Sequence, residues 1–345
     1  LDLIINSRKV EKSCRINRKP IFLHMKTVRL MGHAGSDVEI GYQKIKDIEN
    51  AEFNDPILHS SRILIENKCL SKEEIITLYE NSRDRVSHVF ETATIRPTIK
   101  NSNEVMRSIT SNKCVRSASK HPALKDRKAL FGKEFGRLNR SQHMAKLINY
   151  ALFDILLQYK NTVVFGEDVA EKGGVYHVTA ELHKKFGIRR VFNSPLDETS
   201  IIGFGAGFAQ NGFVPIPEIQ FLAYFHNAED QLRGEIATLP FFSEGQYVNP
   251  LVLRVPGLAY QKGFGGHFHN DNSLTIFRDI PGLILAVPSN GLDAVKMLRT
   301  SVREAYEHGR IVVFIEPIAL YMPVSYTHLR AHETRHDLVC RLLLE

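Results

Sequence analysis

No stretch of eighteen consecutive apolar residues occurs in the chain, so nothing in it reads as a membrane-spanning helix. Its four cysteines, Cys14, Cys69, Cys114 and Cys340, are scattered and never stand as a C-x-x-C pair. That spacing argues against a disulfide framework or a zinc knuckle and predicts a reducing, cytoplasmic setting. A G-x-x-x-x-G-K-[ST] phosphate loop is missing as well. The first residues, LDLIINSRKV, lack both Met and the charged-then-apolar pattern of a secretory leader. The sequence is therefore read as a piece of something longer. What remains is 345 residues with 43% hydrophobic content, enough for two globular domains.

A formal net charge of +7 raises the question of an anionic partner, and its location answers it. Residues 96–140 carry twelve Lys/Arg against three Asp/Glu, a surplus of nine positive charges, which leaves the rest slightly acidic. Basicity confined to one aperiodic segment predicts a solvated linker, with nucleic acid binding as the alternative.

Around this segment the pattern changes twice. PIFLHMKTVRLM at 20–31 reads as a strand running into the loop GHAGSD. From Asp37 to about Phe90 the spacing is helical and amphipathic. The last of these helices starts at Ser71, with Glu74 three positions on as a capping box. From Ser141 onward helix and strand alternate. Helices are expected at 141–159, 177–186, 198–211, 226–238 and 291–307. Strands are expected at TVVFG (162–166), VPIPEI, LVLRV (251–255), LILAV (283–287) and IVVFIE (311–316). Short β-rich apolar runs separated by helices predict an α/β fold with a parallel sheet flanked by helices. Such sheets place their sites at the carboxyl ends of the strands, where GEDV, PEIQF and EP fall.

The densest chemistry lies in NSPLDETSIIGFGAGFAQNGFVPIPEIQFLAYFHNAEDQ, residues 193–231. Glu198 opens a small-residue helix. Glu218, Phe221, Tyr224 and Phe225 follow at the end of a Pro-rich strand. A carboxylate aimed from a helix start into an aromatic-lined cleft can hold a proton on a flat heteroaromatic ring. The glycines Gly203, Gly205 and Gly207 imitate a dinucleotide fingerprint, but they lie inside the expected helix, where close packing is the simpler use. His267 and His269 lack further metal ligands.

Taken together, GEDVAEKGGVYHV, NSPLDETSIIGFGAGFAQ, PEIQF, DQ at 230–231, PLVLRVP, PGLILAVPSN and FIEPIALY resemble the beta subunit of thiamine-diphosphate-dependent 2-oxo-acid dehydrogenases, over roughly 145–323. VRLMGHAGSDVEIGYQ, DPI and SKEE, over about 20–95, resemble the end of the alpha subunit. Both together imply a fused alpha–beta form. The implied domains are 1–95, the end of a diphosphate-binding domain; 96–140, the linker; and 141–323, a transketolase-like pyrimidine-binding domain.

The resemblance implies thiamine diphosphate as cofactor, with Mg in the complete enzyme, and a 2-oxo acid substrate, pyruvate or branched-chain. It implies a lipoyl-bearing acyltransferase partner and an alpha2beta2-like self-association. By the same resemblance Glu198 meets N1′ of the aminopyrimidine and Tyr224 stacks on that ring. His269 serves reductive acylation, with His267 as the competing choice, His33 lies near the cofactor and Arg29 near its diphosphate. The family usually has His-Ser-Gln where this chain has His269-Asn270-Asp271. Ala34 stands where some relatives carry a phosphorylated serine. The Gly-Asp-Gly…Asn metal motif is absent, so the chain alone is expected to be inactive. Another transketolase-type thiamine enzyme is the alternative.

His332-Glu333-Thr334-Arg335-His336 spells H-E-x-x-H, the pattern that puts two zinc ligands on one helix face. It sits in a tail, 324–345, that departs from the family pattern after Met322 and is read as non-native.

Overall fold

The computed structural model describes residues 2–107, 109, 115–259 and 265–322. The H-E-x-x-H tail lies outside them. Chain contacts divide the protein into two compact units, Leu1–Thr98 and Ile99–Glu345.

The first unit contains α1 (Asp2–Asn17), α2 (Ile45–Glu52), α3 (Pro56–Glu66) and α4 (Lys72–Thr94). Local chemistry sets their starts. Asp55 accepts from the Ile57 amide while Pro56 takes the first helical position, where its missing N–H costs nothing. Ser71 and Glu74 form the expected capping box, each side chain meeting the other's backbone N–H. No residue of these four helices is buried. The strand expected at 20–31 is absent, and Phe22 is 91% exposed. A strand needs a neighbour for its backbone groups, and among the described residues the first unit has none. The helix α1 was not anticipated.

The second unit begins with α5 (Ser102–Met106), α6 (Leu124–Phe131) and α7 (Met144–Gln158). It continues as β1 (Thr162–Gly166), α8 (Leu182–Phe186), β2 (Val191–Asn193), α9 (Glu198–Gln210), β3 (Val214–Glu218) and α10 (Leu222–Phe225). After a π-helical turn at Gln231–Ile236 come α11 (Leu239–Phe242), β4 (Leu251–Gly257), α12 (Thr275–Arg278), β5 (Leu283–Ala286), α13 (Gly291–His308) and β6 (Ile311–Pro317). The strands form one parallel sheet in the order β2-β1-β3-β4-β6-β5. Every residue of β1, β3, β4 and β6 is buried, as a sheet covered on both faces requires. One face packs Ile148, Leu152, Val164, Leu298 and Val312 beneath α7 and α13. The other packs Phe165, Ile201, Ile202, Leu253 and Val313. In α9 a Cβ on Gly205 would come within 2.7 Å of Leu251 Cδ1, so this glycine serves close helix–sheet packing, whereas a Cβ on Gly203 or Gly207 would meet nothing within 4 Å among the described residues.

Three expectations change. The helix placed at 177–186 shrinks to Leu182–Phe186, because His177 and Glu181 adopt positive φ (59° and 65°) that a helix cannot continue. The helix placed at 226–238 is a 3-10 turn followed by the π turn. The segment expected as a solvated linker at 96–140 is partly folded onto the second unit. Phe131 of α6 is buried in the core, and Arg127 forks onto Asp154 of α7 at 2.8 Å through both oxygens. Basic residues whose stems and charges find partners in the fold need not be solvated.

Cys14 and Cys69 are free and exposed; Cys114 and Cys340 lie outside the described residues. Among the described residues no helix is long and apolar enough to cross a membrane.

Candidate functional site

The strand order reverses direction beside β1, since β2 lies on one side of it and β3 on the other. Ligands of open parallel sheets bind at this kind of switch point, outside the carboxyl ends of the strands. Glu167 immediately follows β1. Glu198 opens α9 after β2, and Glu218 ends β3, in register with Gly166. Three carboxylates thus converge on one place, from three strands that sequence separates by more than fifty residues.

Each is held differently. Asp197 caps α9, its side chain accepting from the Ser200 amide, and this fixes Glu198 in the first turn, where the helix dipole suits a carboxylate. Glu198 is only 7% exposed. Glu167 is equally buried, and its Oε1 has no hydrogen-bond partner among the described residues. Burial, and then the negative charges of Glu198, Asp168 and Glu218, push the Glu167 carboxyl up to about 7. The next residue, Asp168, sits at φ 56°, a left-handed conformation unusual for a residue with a side chain. The loop beyond it folds back through Gly174 N–H to Asp168 O (2.8 Å) and Thr179 Oγ1 to Val169 O (2.9 Å).

Glu218 has a structural partner. The Arg254 guanidinium on β4 is fully buried, and it donates to Glu218 Oε2 at 2.6 Å and to both oxygens of Glu316 at 2.6 and 2.9 Å. Tyr321 donates its hydroxyl to the same Glu316. Burial alone would push the Arg254 guanidinium down; Glu316 and Glu218 together raise it above its ordinary value. Burial raises the Glu218 carboxyl, and Arg254 opposes that rise. The network has a backbone reason. Pro215 and Pro217 remove two N–H donors from β3, and the only register pair between β3 and β4 among the described residues is Glu218–Arg254. Side chains join the strands where the ladder is thin.

Over the acids lies an aromatic wall. Phe221 meets Tyr224 edge-on at 5.5 Å and His269 at 4.6 Å. The Tyr224 hydroxyl lies 3.1 Å from His269 Nε2. Burial first, then the charges of Glu167 and Glu198, raise the Tyr224 hydroxyl above its ordinary value. The structure therefore brings Glu198, Tyr224 and His269 into one region. It adds Glu167, the acid of the GEDV block at the carboxyl end of β1.

His33 and Arg29 belong to the first unit. The His33 amide donates to Asp37 Oδ2 at 2.6 Å in the GHAGSD turn, and Tyr42 donates to the same oxygen at 3.1 Å. Those two bonds, with Arg29 nearby, hold the Asp37 carboxyl below its ordinary value. His267 is in the short turn before His269, its ring 4.0 Å from that of Phe268 and tilted against it.

A parallel sheet with acids and aromatics at its switch point defines a class. Residues 140–323, more than half of the chain, match the family model described as Transketolase, pyrimidine binding domain, and the chain belongs to that family. Residues 4–102 match a second model, Dehydrogenase E1 component. Among proteins of named function, the chain is 38% identical over 183 residues to the pyruvate dehydrogenase E1 component subunit beta of Staphylococcus epidermidis, covering 52% of this chain and 53% of that protein. It is 37% identical to the 2-oxoisovalerate dehydrogenase subunit beta of Pseudomonas aeruginosa, over 52% and 50% of the two chains. It is 38% identical to the mitochondrial 2-oxoisovalerate dehydrogenase subunit beta of Dictyostelium discoideum, over 53% and 48%. The chain spans about half the length of these relatives. The solved structure titled Split gene transketolase, inactive beta4 tetramer is a more distant match, with a TM-score of 0.40 and 18% identity over half of each chain.

Proposed function

We propose that the second unit is the pyrimidine-binding part of a thiamine-diphosphate-dependent 2-oxo-acid dehydrogenase acting on pyruvate or a branched-chain 2-oxo acid. The observation that carries this reading is the buried pair Glu198 and Glu167 facing Tyr224, with one Glu167 oxygen lacking a partner among the described residues. An unsatisfied buried acid is costly to keep, and a ligand with a ring N–H or amino group would satisfy it. On that ground the residues present fit an aminopyrimidine.

When bound, thiamine diphosphate supplies the carbanion and the electron sink for decarboxylation. This chain's residues bind and manage protons. Glu198 would hold a proton at N1′, Tyr224 would lie against the ring, and the aromatic wall would exclude water. Glu167, with its carboxyl pushed up to about 7, can give or take a proton beside Glu198. His269, with His267 as the alternative, would donate a proton during acyl transfer to the lipoyl arm of an acyltransferase partner. By the resemblance, His33 would lie near a bound cofactor and Arg29 near its diphosphate.

The diphosphate end fits less well. The Gly-Asp-Gly…Asn motif is missing from the sequence, and among the described residues no group of three or more His, Cys, Asp or Glu could hold a metal ion. The Mg ligands would then come from elsewhere in an alpha2beta2-like parent, and this chain alone would not turn over a 2-oxo acid. In the complete parent enzyme Glu198→Ala should abolish decarboxylation while leaving the unfolding midpoint nearly unchanged. Turnover at the wild-type rate in that variant would end the reading, and decarboxylation by the isolated chain would end the claim of its inactivity.

A further inference from the structure

Two segments cross at the site in matched positions. Tyr224 meets His269 at 3.1 Å, and His226 Nε2 meets Asp271 Oδ2 at 3.2 Å. Each pair is separated by 45 residues in sequence, so two successive rungs join α10 and the turn after it to the loop that carries His269. The inner rung is at the candidate site. The outer rung is at its rim, with His226 half-exposed and the Asp271 side chain largely covered.

Asp271 is tied down independently of His226. Its Oδ1 accepts from the Ser273 amide at 2.8 Å and the Ser273 hydroxyl at 2.5 Å, and its backbone oxygen accepts from the Leu258 amide at 3.2 Å. Burial would raise the Asp271 carboxyl, but the Ser273 and His226 bonds outweigh it and keep the group below its ordinary value. Asp271 is therefore an ionised acceptor fixed at the end of β4. His226 is the group that reaches it from the other segment.

His269 Nδ1 lies 3.1 Å from Gly265 O, and its Nε2 lies 3.1 Å from the Tyr224 hydroxyl. In a neutral ring Nδ1–H then donates to Gly265 and Nε2 accepts from Tyr224, so the loop selects one tautomer. The Gly265 contact lies within the loop and moves with it, whereas the bond to Tyr224 crosses between segments.

We propose that His226 and Asp271 are positioning residues whose hydrogen bond holds the His269 loop in register with Tyr224. The proposal rests on the reading of Tyr224 and His269 as site residues. It also gives a use to Asp271, where the chain departs from the His-Ser-Gln pattern.

The test uses the full chain, labelled with ¹⁵N-histidine and ring-labelled tyrosine and observed by NMR at one fixed pH. Tyr224→Phe supplies the His269 ring signal with the inner rung broken. His226→Ala should move the His269 signal most of the way to that reference, through an about three- to tenfold loss of the bonded population. His226→Gln, whose amide can still donate to Asp271, should return it toward wild type. A purely structural role would not discriminate Ala from Gln in this way. Should His226→Ala lose its folded spectrum, Asp271→Asn is read by the same rule, because it keeps the Oδ1 acceptor for Ser273. A His269 signal unmoved by either variant, while Tyr224→Phe moves it, overturns the proposal. Adding thiamine diphosphate separates the two readings. No response of the wild-type Tyr224 and His269 signals counts against the functional reading only. A wild-type response with His269 unmoved in His226→Ala counts against the clasp only.

Discussion

The two units of this chain are built on opposite principles. The first has well-made local signals and, among the described residues, no core: a capping box at Ser71–Glu74, an Asp55 cap with Pro56 behind it, and four helices without one buried residue. The second has a sheet buried on both faces, a proline-bearing strand that local rules disfavour, and a charged network in its middle. Capping and propensity decide where helices start and stop, while burial decides whether a region behaves as a cooperative unit. The candidate acids and the aromatic wall stand on the buried unit, where packing can hold them.

The largest effect that could break this contrast is expected at Arg254. Arg254→Met should cost about 3–5 kcal/mol, because it strands Glu218 and Glu316 without a counter-charge. Urea unfolding followed by tyrosine emission would detect it, helped by the absence of tryptophan. A variant as stable as wild type would mean that the strands do not depend on the network. Core truncation comes next. Leu152→Ala, at a fully buried position, should cost about 2–5 kcal/mol. Ile76→Ala in α4, at an exposed one, should stay within about 0.5 kcal/mol. Equal costs would show that the first unit has a core after all.

Glu167 gives the contrast a pH dependence. Its folded-state carboxyl is raised to about 7 from an ordinary 4.5, so the folded state holds the proton more tightly than the unfolded chain. The contribution is fully present below about pH 4.5 and is lost as pH rises through 7. Glu167→Gln should therefore be stabilised relative to wild type by about 3 kcal/mol at pH 8, with the difference vanishing near pH 4. Parallel stability curves for the two proteins would refute this. The smallest effect belongs to a cap: Ser71→Ala should cost about 1 kcal/mol, visible as faster amide exchange in the first turns of α4 with the sheet unaffected.

What could be read from the sequence follows the same division. TVVFG, LVLRV, LILAV and IVVFIE were legible as strands because a doubly covered sheet leaves continuous apolar runs. VFN at β2 was too short to stand out. PIFLHMKTVRLM has the composition of a strand, but composition cannot supply the neighbour that a strand requires. Glu198 was legible as an acid at a helix start. Glu167 was not separable from a structural acid, because its burial and its missing partner exist only in three dimensions. Arg254 carried a signal that went unused: an arginine inside an apolar strand needs acids on the adjacent strands, and PEIQF and FIEP both provide one. His226 and Asp271 gave no sign of each other across 45 residues.

The central claim, that Glu198 and its neighbours hold an aminopyrimidine, is tested most directly by titrating thiamine diphosphate into the full chain while observing the Tyr224 ring signal. Saturable binding is expected, weak at about millimolar because the metal motif is missing, and at least about tenfold weaker in Glu198→Ala. Identical titrations of the wild-type and Glu198→Ala chains would contradict it.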